Sequence, residues 1–250
     1  MFKEEMKAFY EANGYLVVGD VFSAEEMDAI RAEIDALLAD PDHPPAGVTI
    51  GREGHTAADR SSKAAHDNSI RGAAFLVRFM PFFQDVARQE NLLALTRGLL
   101  GPRVKVFRDQ ALFKPPGGQA KPLHQDQSYF RVDPIDDLTT AWIALDDATL
   151  DNGCMCYVPA SHKHGIFPVD ADPERPVHHV PRTGDLKLAP PVACPVSAGS
   201  VIFHHGCTLH ASEANHSDTW RRAIIFHYAT AHARSENEAL NEQVSLEIDA

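Results

Sequence analysis

The first residues that could do chemistry lie in Lys114-Pro-Pro-Gly-Gly-Gln-Ala-Lys-Pro-Leu-His-Gln-Asp-Gln-Ser-Tyr-Phe130, where His124 and Asp126 flank Gln125. In an extended strand, residues i and i+2 point to the same face. The spacing therefore predicts an imidazole and a carboxylate side by side, with Gln125 turned away. One further histidine would complete a two-His, one-carboxylate set. Such a set covers one face of an octahedral metal, leaves positions open, and suits non-haem Fe(II). His-x-Asp by itself is weak evidence in a chain with 14 His and 35 Asp+Glu, where a polar strand end is the plain alternative.

A second constellation lies downstream in His204-His-Gly-Cys-Thr-Leu-His210-Ala-Ser212, followed by Asn215 and Arg221-Arg222. His210 and Ser212 share a face of a predicted strand. A hairpin after the polar turn 215–218 would return Arg221 beside Ser212. A guanidinium grips a carboxylate through two parallel hydrogen bonds. By composition alone, His204 or His205 could serve as the third ligand as well as His210. Arg222 likewise competes with Arg221, although neighbouring strand residues face opposite ways and only one can enter a barrel.

The elements that must carry these groups change character near residue 102. Before it the chain reads as helical. Residues 2–12 form a short helix stopped at Asn13-Gly14, and Tyr15–Val18 a short strand. Ser23-Ala-Glu-Glu26 is a capping box that opens a helix to residue 39. Residues 81–100 read as one helix with Phe82, Val86, Leu92, Leu95, Leu99 and Leu100 inward. Residues 43–70 read as a long polar loop with Arg52, Arg60 and Lys63, of a length that suggests either a lid or substrate loop or simple disorder. After residue 102, short β runs alternate with turns: Val104–Phe113, Pro122–Asp126, Thr139–Asp146, Cys154–Val158, Val192–Val196, Ser200–His204, Thr208–Ser212 and Arg221–Thr230. Repeated short strands after a helical half predict an α+β, mainly β, fold: a jelly-roll core over 101–230 buttressed by helices over 1–100, with a polar tail over 231–250, all one domain.

Composition narrows the partners. Net charge is -12 and no basic stripe stands out, which speaks against nucleic acid. No apolar run approaches the roughly 18 residues a membrane span requires, and the N-terminus lacks a signal core, so the expectation is a cytoplasmic protein. Cys154, Cys156, Cys194 and Cys207 contain no C-x-x-C pair. A zinc site is therefore weakly supported and nothing suggests a disulfide framework; Cys154 and Cys156, in an apolar run, read as small packed hydrophobes.

From about residue 100 to 230 the sequence resembles the phytanoyl-CoA dioxygenase family of Fe(II)/2-oxoglutarate oxygenases. The resemblance rests on Lys-Pro-Leu-His124-Gln-Asp126-Gln-Ser-Tyr-Phe, Ala-Trp142-Ile-Ala-Leu-Asp-Asp-Ala, Asp-Asn-Gly153-Cys with Val-Pro-Ala-Ser-His162-Lys, and His-Gly-x-x-x-His210-x-Ser212-x-x-Asn215 leading to Arg221-Arg-Ala. It implies a double-stranded β-helix with Fe(II) held by His124, Asp126 and His210. It implies Arg221 as the partner of the distal carboxylate of 2-oxoglutarate, Ser212 as a helper there, and Trp142 as a wall of that pocket. It also implies O2 as co-substrate and a small organic or acyl molecule as substrate; family members act on acyl-CoA thioesters, amino acids, phosphonates and natural products. The resemblance selects His210 over His204 and His205, and Arg221 over Arg222. The expected outcome is hydroxylation of a C–H bond. Two other readings use the same triad: a non-catalytic metal-binding or sensing jelly roll, and a zinc hydrolase. His162 and His164 could line the mouth or lie on the surface, Lys114 could approach the co-substrate or end a strand in solvent, and Asp146 and Asp147 read as turn or cap groups.

Overall fold

The computed structural model describes residues 2–52, 70–171 and 179–249. Helix α1 (Glu4–Asn13) is stopped by Gly14 in the left-handed conformation, whose N–H returns to the Tyr10 carbonyl. Strand β1 (Tyr15–Val18) and helix α2 (Ala24–Ala39) follow. The capping box is present: Ser23 accepts from the Glu26 N–H, and the Glu26 carboxylate accepts from the Ser23 N–H. Met27, Ile30, Ile34 and Leu37 make its buried stripe.

Two expectations for the first hundred residues need correction. The ends of the segment read as a loop are in part strand, because β2 (Thr49–Arg52) pairs with β3 (Ile70–Ala74). Residues 53–69, including Arg60 and Lys63, lie outside the described residues. The helix expected over 81–100 is two helices preceded by a short one: α3 (Leu76–Phe79), α4 (Pro81–Ala87) and α5 (Glu90–Leu100). The break falls at Arg88-Gln89, where the Gln89 side chain accepts from the Leu92 N–H and caps the new helix. Phe83, not Phe82, is the fully buried phenylalanine there.

The remaining strands are β4 (Val104–Lys114), β5 (Lys121–His124), β6 (Val132–Asp133), β7 (Leu138–Ala144), β8 (Met155–Tyr157), β9 (Val169–Ala171), β10 (His179–Pro181), β11 (Val192–Cys194), β12 (Val201–His205), β13 (His210–Ser212), β14 (Arg221–Thr230), β15 (Arg234–Ser235) and β16 (Leu246–Glu247). One sheet runs β1-β12-β7-β14-β4-β3-β2, with β16 also on β4; the other runs β11-β8-β13-β5. The chain winds between them, β4 to β5, β7 to β8 and β11, β12 to β13, then β14. That is a double-stranded β-helix, the expected jelly roll. The tail is only one helical turn (Glu238–Asn241) before β16. Among the described residues no helix is long and apolar enough to cross a membrane.

Alternation along the central strands separates two cores. On the outer face of the large sheet, Ala141, Ile143, Val201, Phe203, Ile224 and Phe226 pack with helix residues such as Ile30, Ile34, Phe83 and Leu92. On the inner face, Trp142, Ile202, Ala223 and Ile225 meet Met155, Tyr157 and Cys194 of the small sheet. Covered on both faces, β7 is buried at every position. Each of these large side chains contributes roughly 1.5–3 kcal/mol by leaving water. The inter-sheet space is where the polar groups of interest enter.

Candidate metal centre

His124 closes β5 and His210 opens β13, and the two residues pair across the small sheet. Their rings are 4.1 Å apart. In each, Nδ1–H donates to the backbone carbonyl two residues earlier, Pro122 at 2.8 Å and Thr208 at 2.9 Å. This leaves each Nε2 with a lone pair for a ligand. The donor atoms of His124, Asp126 and His210 all lie within 4.8 Å of one another, and all three residues are buried.

Asp126 reaches this position by a different route from the one predicted. β5 ends at His124, and Asp126 has helical φ and ψ of -62° and -39° at the head of a turn over Gln127–Phe130. The N–H groups of Tyr129 and Phe130 return to the Asp126 carbonyl. The carboxylate therefore meets the histidines because the chain turns there, not because strand faces alternate. Gln125 does face away: its amide donates to the carbonyls of Gly165 and Cys207 and accepts from the Phe167 N–H.

A polar row behind Asp126 was not legible as a site. His204, Thr140 and His227 lie in register across β12, β7 and β14. Asp126 Oδ2 accepts from Thr140 Oγ1 at 2.5 Å and from His204 Nε2 at 3.0 Å. Thr140 in turn accepts from His227 Nδ1 at 2.8 Å, and His204 Nδ1 accepts from the Tyr157 hydroxyl at 3.2 Å. His204 is thus spent on Asp126. Oδ2 is engaged, and Oδ1 is left toward His210 Nε2, 3.7 Å away. The one available signal was alternation: Thr140, His204 and His227 share strand faces with Trp142, Ile202 and Ile225.

Burial pushes His124 well below the ordinary imidazole value and His210 down to about 4, so both are neutral and ready to coordinate at neutral pH. Burial pushes the Asp126 carboxyl up. The His227 and His210 rings and the hydrogen bonds from His204 and His227 outweigh it, and hold the group well below the usual carboxylate range.

Arg221 is 3% exposed. Its guanidinium carbon sits 5.3 Å from the Trp142 ring, and its one hydrogen-bond contact among the described residues is a 4.0 Å approach to Met155 Sδ. Among the described residues the buried Arg221 Nε and Trp142 Nε1 both lack partners. Burial brings Arg221 down to about 10. The predicted hairpin with Ser212 does not exist, since β13 and β14 belong to opposite sheets; Arg221 pairs instead with Lys114 on β4. Lys114 is buried, and its ammonium donates to Ser212 Oγ at 2.8 Å and to the Glu213 carbonyl. Lys114 is therefore no solvated strand end. Burial, then the neighbouring Arg221, brings it down to about 7. Arg222 faces the other way and pairs with Asp146 and Asp35.

The other candidates stand away from the triad. His205 Nε2 is 3.2 Å from Asp136. His162 packs 5.2 Å from the His205 ring and donates to the Glu11 carbonyl, so it seats α1 rather than lining a mouth. His164 is exposed. Asp146 holds Arg222, and Asp147 accepts from the Ala198 N–H. Over the metal side, His179 of β10 stacks on Tyr129 at 4.2 Å, and Tyr129 lies 6.0 Å from His124.

The chain is similar to known proteins in sequence and in fold. Residues 10–223 match the family described as Phytanoyl-CoA dioxygenase (PhyH). "Phytanoyl-CoA dioxygenase 1" of Oryza sativa subsp. japonica is 31% identical over 90% of this chain and 88% of its own. Among solved structures, the epimerase SnoN in complex with Fe3+, alpha ketoglutarate and nogalamycin RO is similar, with 26% identity, a TM-score of 0.74, and 95% of this chain and 88% of that one covered. The non-heme alpha ketoglutarate dependent carbocyclase SnoK from nogalamycin biosynthesis is 27% identical, with a TM-score of 0.70 over 100% of this chain and 94% of its own.

Proposed function

The chain belongs to the phytanoyl-CoA dioxygenase family, and from that premise we propose that it is an Fe(II)- and 2-oxoglutarate-dependent dioxygenase that hydroxylates an aliphatic C–H bond of a small organic or acyl substrate, with release of succinate and CO2. The observation that carries the co-substrate assignment is Arg221. A buried guanidinium with no carboxylate in reach among the described residues is costly, and a dicarboxylate ligand would supply the missing partner. A metal-binding or sensing module has no use for it.

His124, Asp126 and His210 would hold Fe(II), through both Nε2 atoms and Asp126 Oδ1. Bound iron and 2-oxoglutarate together would supply the activation of O2 and the oxidation of substrate. The rest is the work of the chain. Arg221 and Lys114, held in place by Ser212, orient the far carboxylate, and the Trp142 ring forms one wall. Thr140 and His204 keep Asp126 turned so that one oxygen alone faces the metal. Tyr129 and His179 border the side of the metal where substrate would enter.

Hydroxylation is favoured by Asp126. Its carboxylate would fill a coordination position that a smaller residue would leave to chloride, and its charge disfavours a second anion. The fold alone does not choose the outcome, since similar proteins include an epimerase and a carbocyclase. The test is anaerobic loading with Fe(II) and 2-oxoglutarate, followed by O2 and a substrate panel in excess chloride, with succinate and product mass measured. One added oxygen matched by succinate supports the reading. A chlorinated main product, or no succinate with any substrate, overturns it.

A further inference from the structure

We infer that Tyr157, His204 and Tyr15 form an escape path by which a one-electron oxidising equivalent generated at the metal reaches the protein surface when no primary substrate is bound; this rests on the oxygenase reading above. Tyr157 is fully buried on β8, in register with His210, and its ring lies 5.9 Å from that imidazole. Its hydroxyl donates to His204 Nδ1 at 3.2 Å. On its other side it stacks on Tyr15, with centroids 5.0 Å apart and planes 10° from parallel. Tyr15 lies opposite His204 in register, on the edge strand of the large sheet. It is 7% exposed and sits under Phe9, itself 45% exposed. A continuous aromatic column therefore runs from a candidate metal ligand to the surface.

The hydrogen bond to His204 distinguishes this column from ordinary packing. A phenol gives up an electron readily only when its proton can leave with it. Of the five tyrosines, Tyr157 alone donates to an imidazole among the described residues. Tyr10 meets Thr139, Tyr228 donates to the Ala87 carbonyl, and Tyr129 accepts from the His179 N–H. Tyr129 is comparably close to the metal ligands, but among the described residues its hydroxyl meets only the His179 N–H, which is no base for its proton.

The steps balance. Tyr157 gives one electron to the oxidant formed at iron from O2 and 2-oxoglutarate, and its hydroxyl proton to His204 Nδ1, leaving a neutral phenoxyl radical. Tyr15 then gives an electron to Tyr157 while the proton returns from His204, and loses its own phenolic proton to water. A solvent one-electron reductant of the ascorbate class, with a proton from water, restores Tyr15. One pass lowers the oxidant by a single electron; a second pass, with two protons from water in all, would return the metal to Fe(II) and release its oxygen as water. Two one-electron equivalents of external reductant are therefore the net cost, and the ligands and Trp142 are spared.

The test is rapid-freeze electron paramagnetic resonance on Fe(II)-loaded protein mixed with 2-oxoglutarate and O2 without primary substrate. Succinate and peptide oxidation are measured on the same samples, and ring-deuterated tyrosine identifies the radical. Tyr157→Phe, Tyr15→Phe and Tyr129→Phe each keep the ring and hence the packing. The expected result is a tyrosyl signal in the parent and in Tyr129→Phe, its loss in Tyr157→Phe with several-fold more oxidation of His124, His210 or Trp142, and a longer-lived signal in Tyr15→Phe. An unchanged signal in Tyr157→Phe, or succinate without any tyrosyl signal in the parent, overturns the path while leaving the oxygenase reading intact. No succinate in the parent without primary substrate overturns the path; the oxygenase reading falls only if no substrate of the panel yields succinate either.

Discussion

Arg222 meets Asp146 through two parallel hydrogen bonds and Asp35 through a third, whereas Arg221, one position earlier, lies buried over Trp142 with no carboxylate paired to it among the described residues. Opposite consequences are expected. Arg221→Ala should leave urea stability unchanged or raised, because it removes a buried cation, while weakening 2-oxoglutarate binding by roughly 3–5 kcal/mol, about a hundredfold or more. Arg222→Ala should cost roughly 1–3 kcal/mol of stability by leaving Asp146 with only the backbone N–H of residue 222 and the 3.9 Å approach of Arg31, and barely change 2-oxoglutarate binding. Calorimetric titration beside urea unfolding separates the two; equal losses of affinity would remove Arg221 from the pocket. Lys114 carries a pH signature. Its value falls from 10.5 to about 7 on folding. Between those values the unfolded chain holds a proton that the native protein has released, so this group makes stability rise with pH across that window. Below about pH 7 both states are charged and the burial penalty is complete. Lys114→Met should flatten that part of the profile, read from urea midpoints between pH 7 and 10 at fixed ionic strength. An unaltered slope would mean that the lysine keeps its ordinary value.

At the scale of elements, the turn before β8 and the start of α2 give contrasting expectations. Gly153 has φ of +79°, and a Cβ there would strike the Glu213 carbonyl and lie 3.1 Å from Lys114 Nζ. Gly153→Ala therefore combines a left-handed penalty of roughly 1–2 kcal/mol with displacement of the segment that seats Lys114 and Ser212. Both thermal stability and 2-oxoglutarate affinity should fall. The remote control is Ser23→Ala, which deletes the capping box. It should cost about 1 kcal/mol and leave co-substrate affinity as in the parent. A parallel loss of affinity in both variants would show that the pocket merely follows global stability.

For the whole molecule, the C-terminal segment closes the fold against β4 and α5. The Asp249 carboxylate takes Arg97 and the Val104 N–H, Ser245 donates to buried Asp109 at 2.6 Å, and Arg108 donates to the carbonyls of Gln243 and Leu240. Removing residues 242–250 would strip partners from a buried carboxylate and a buried guanidinium. A loss of about 3 kcal/mol or more is expected, seen as a melting temperature lower by roughly 6–12 °C. The triad comes from β5, the turn after it and β13, so Fe(II) affinity measured well below the transition should persist. Loss of iron binding in folded, truncated protein would tie the tail to the site.

The sequence by itself determined what depends on near neighbours and on period. The α2 capping box, the stop at Gly14, the alternating strands after residue 102 and the ordered motifs around His124, Asp126, His210 and Arg221 were legible because local hydrogen bonds and side-chain period are written in consecutive residues. The tertiary structure alone decided what depends on who lies opposite. Asp126 meets the histidines through a helical turn that strand spacing did not foresee. Arg221 pairs with Lys114 because β13 and β14 part to opposite sheets. His204, Thr140 and His227, far apart in the chain, become one row behind Asp126 only when β12, β7 and β14 pair. That Arg221 has no carboxylate paired to it among the described residues is likewise invisible in a chain with 35 Asp+Glu, since composition counts charges and only packing determines which of them meet.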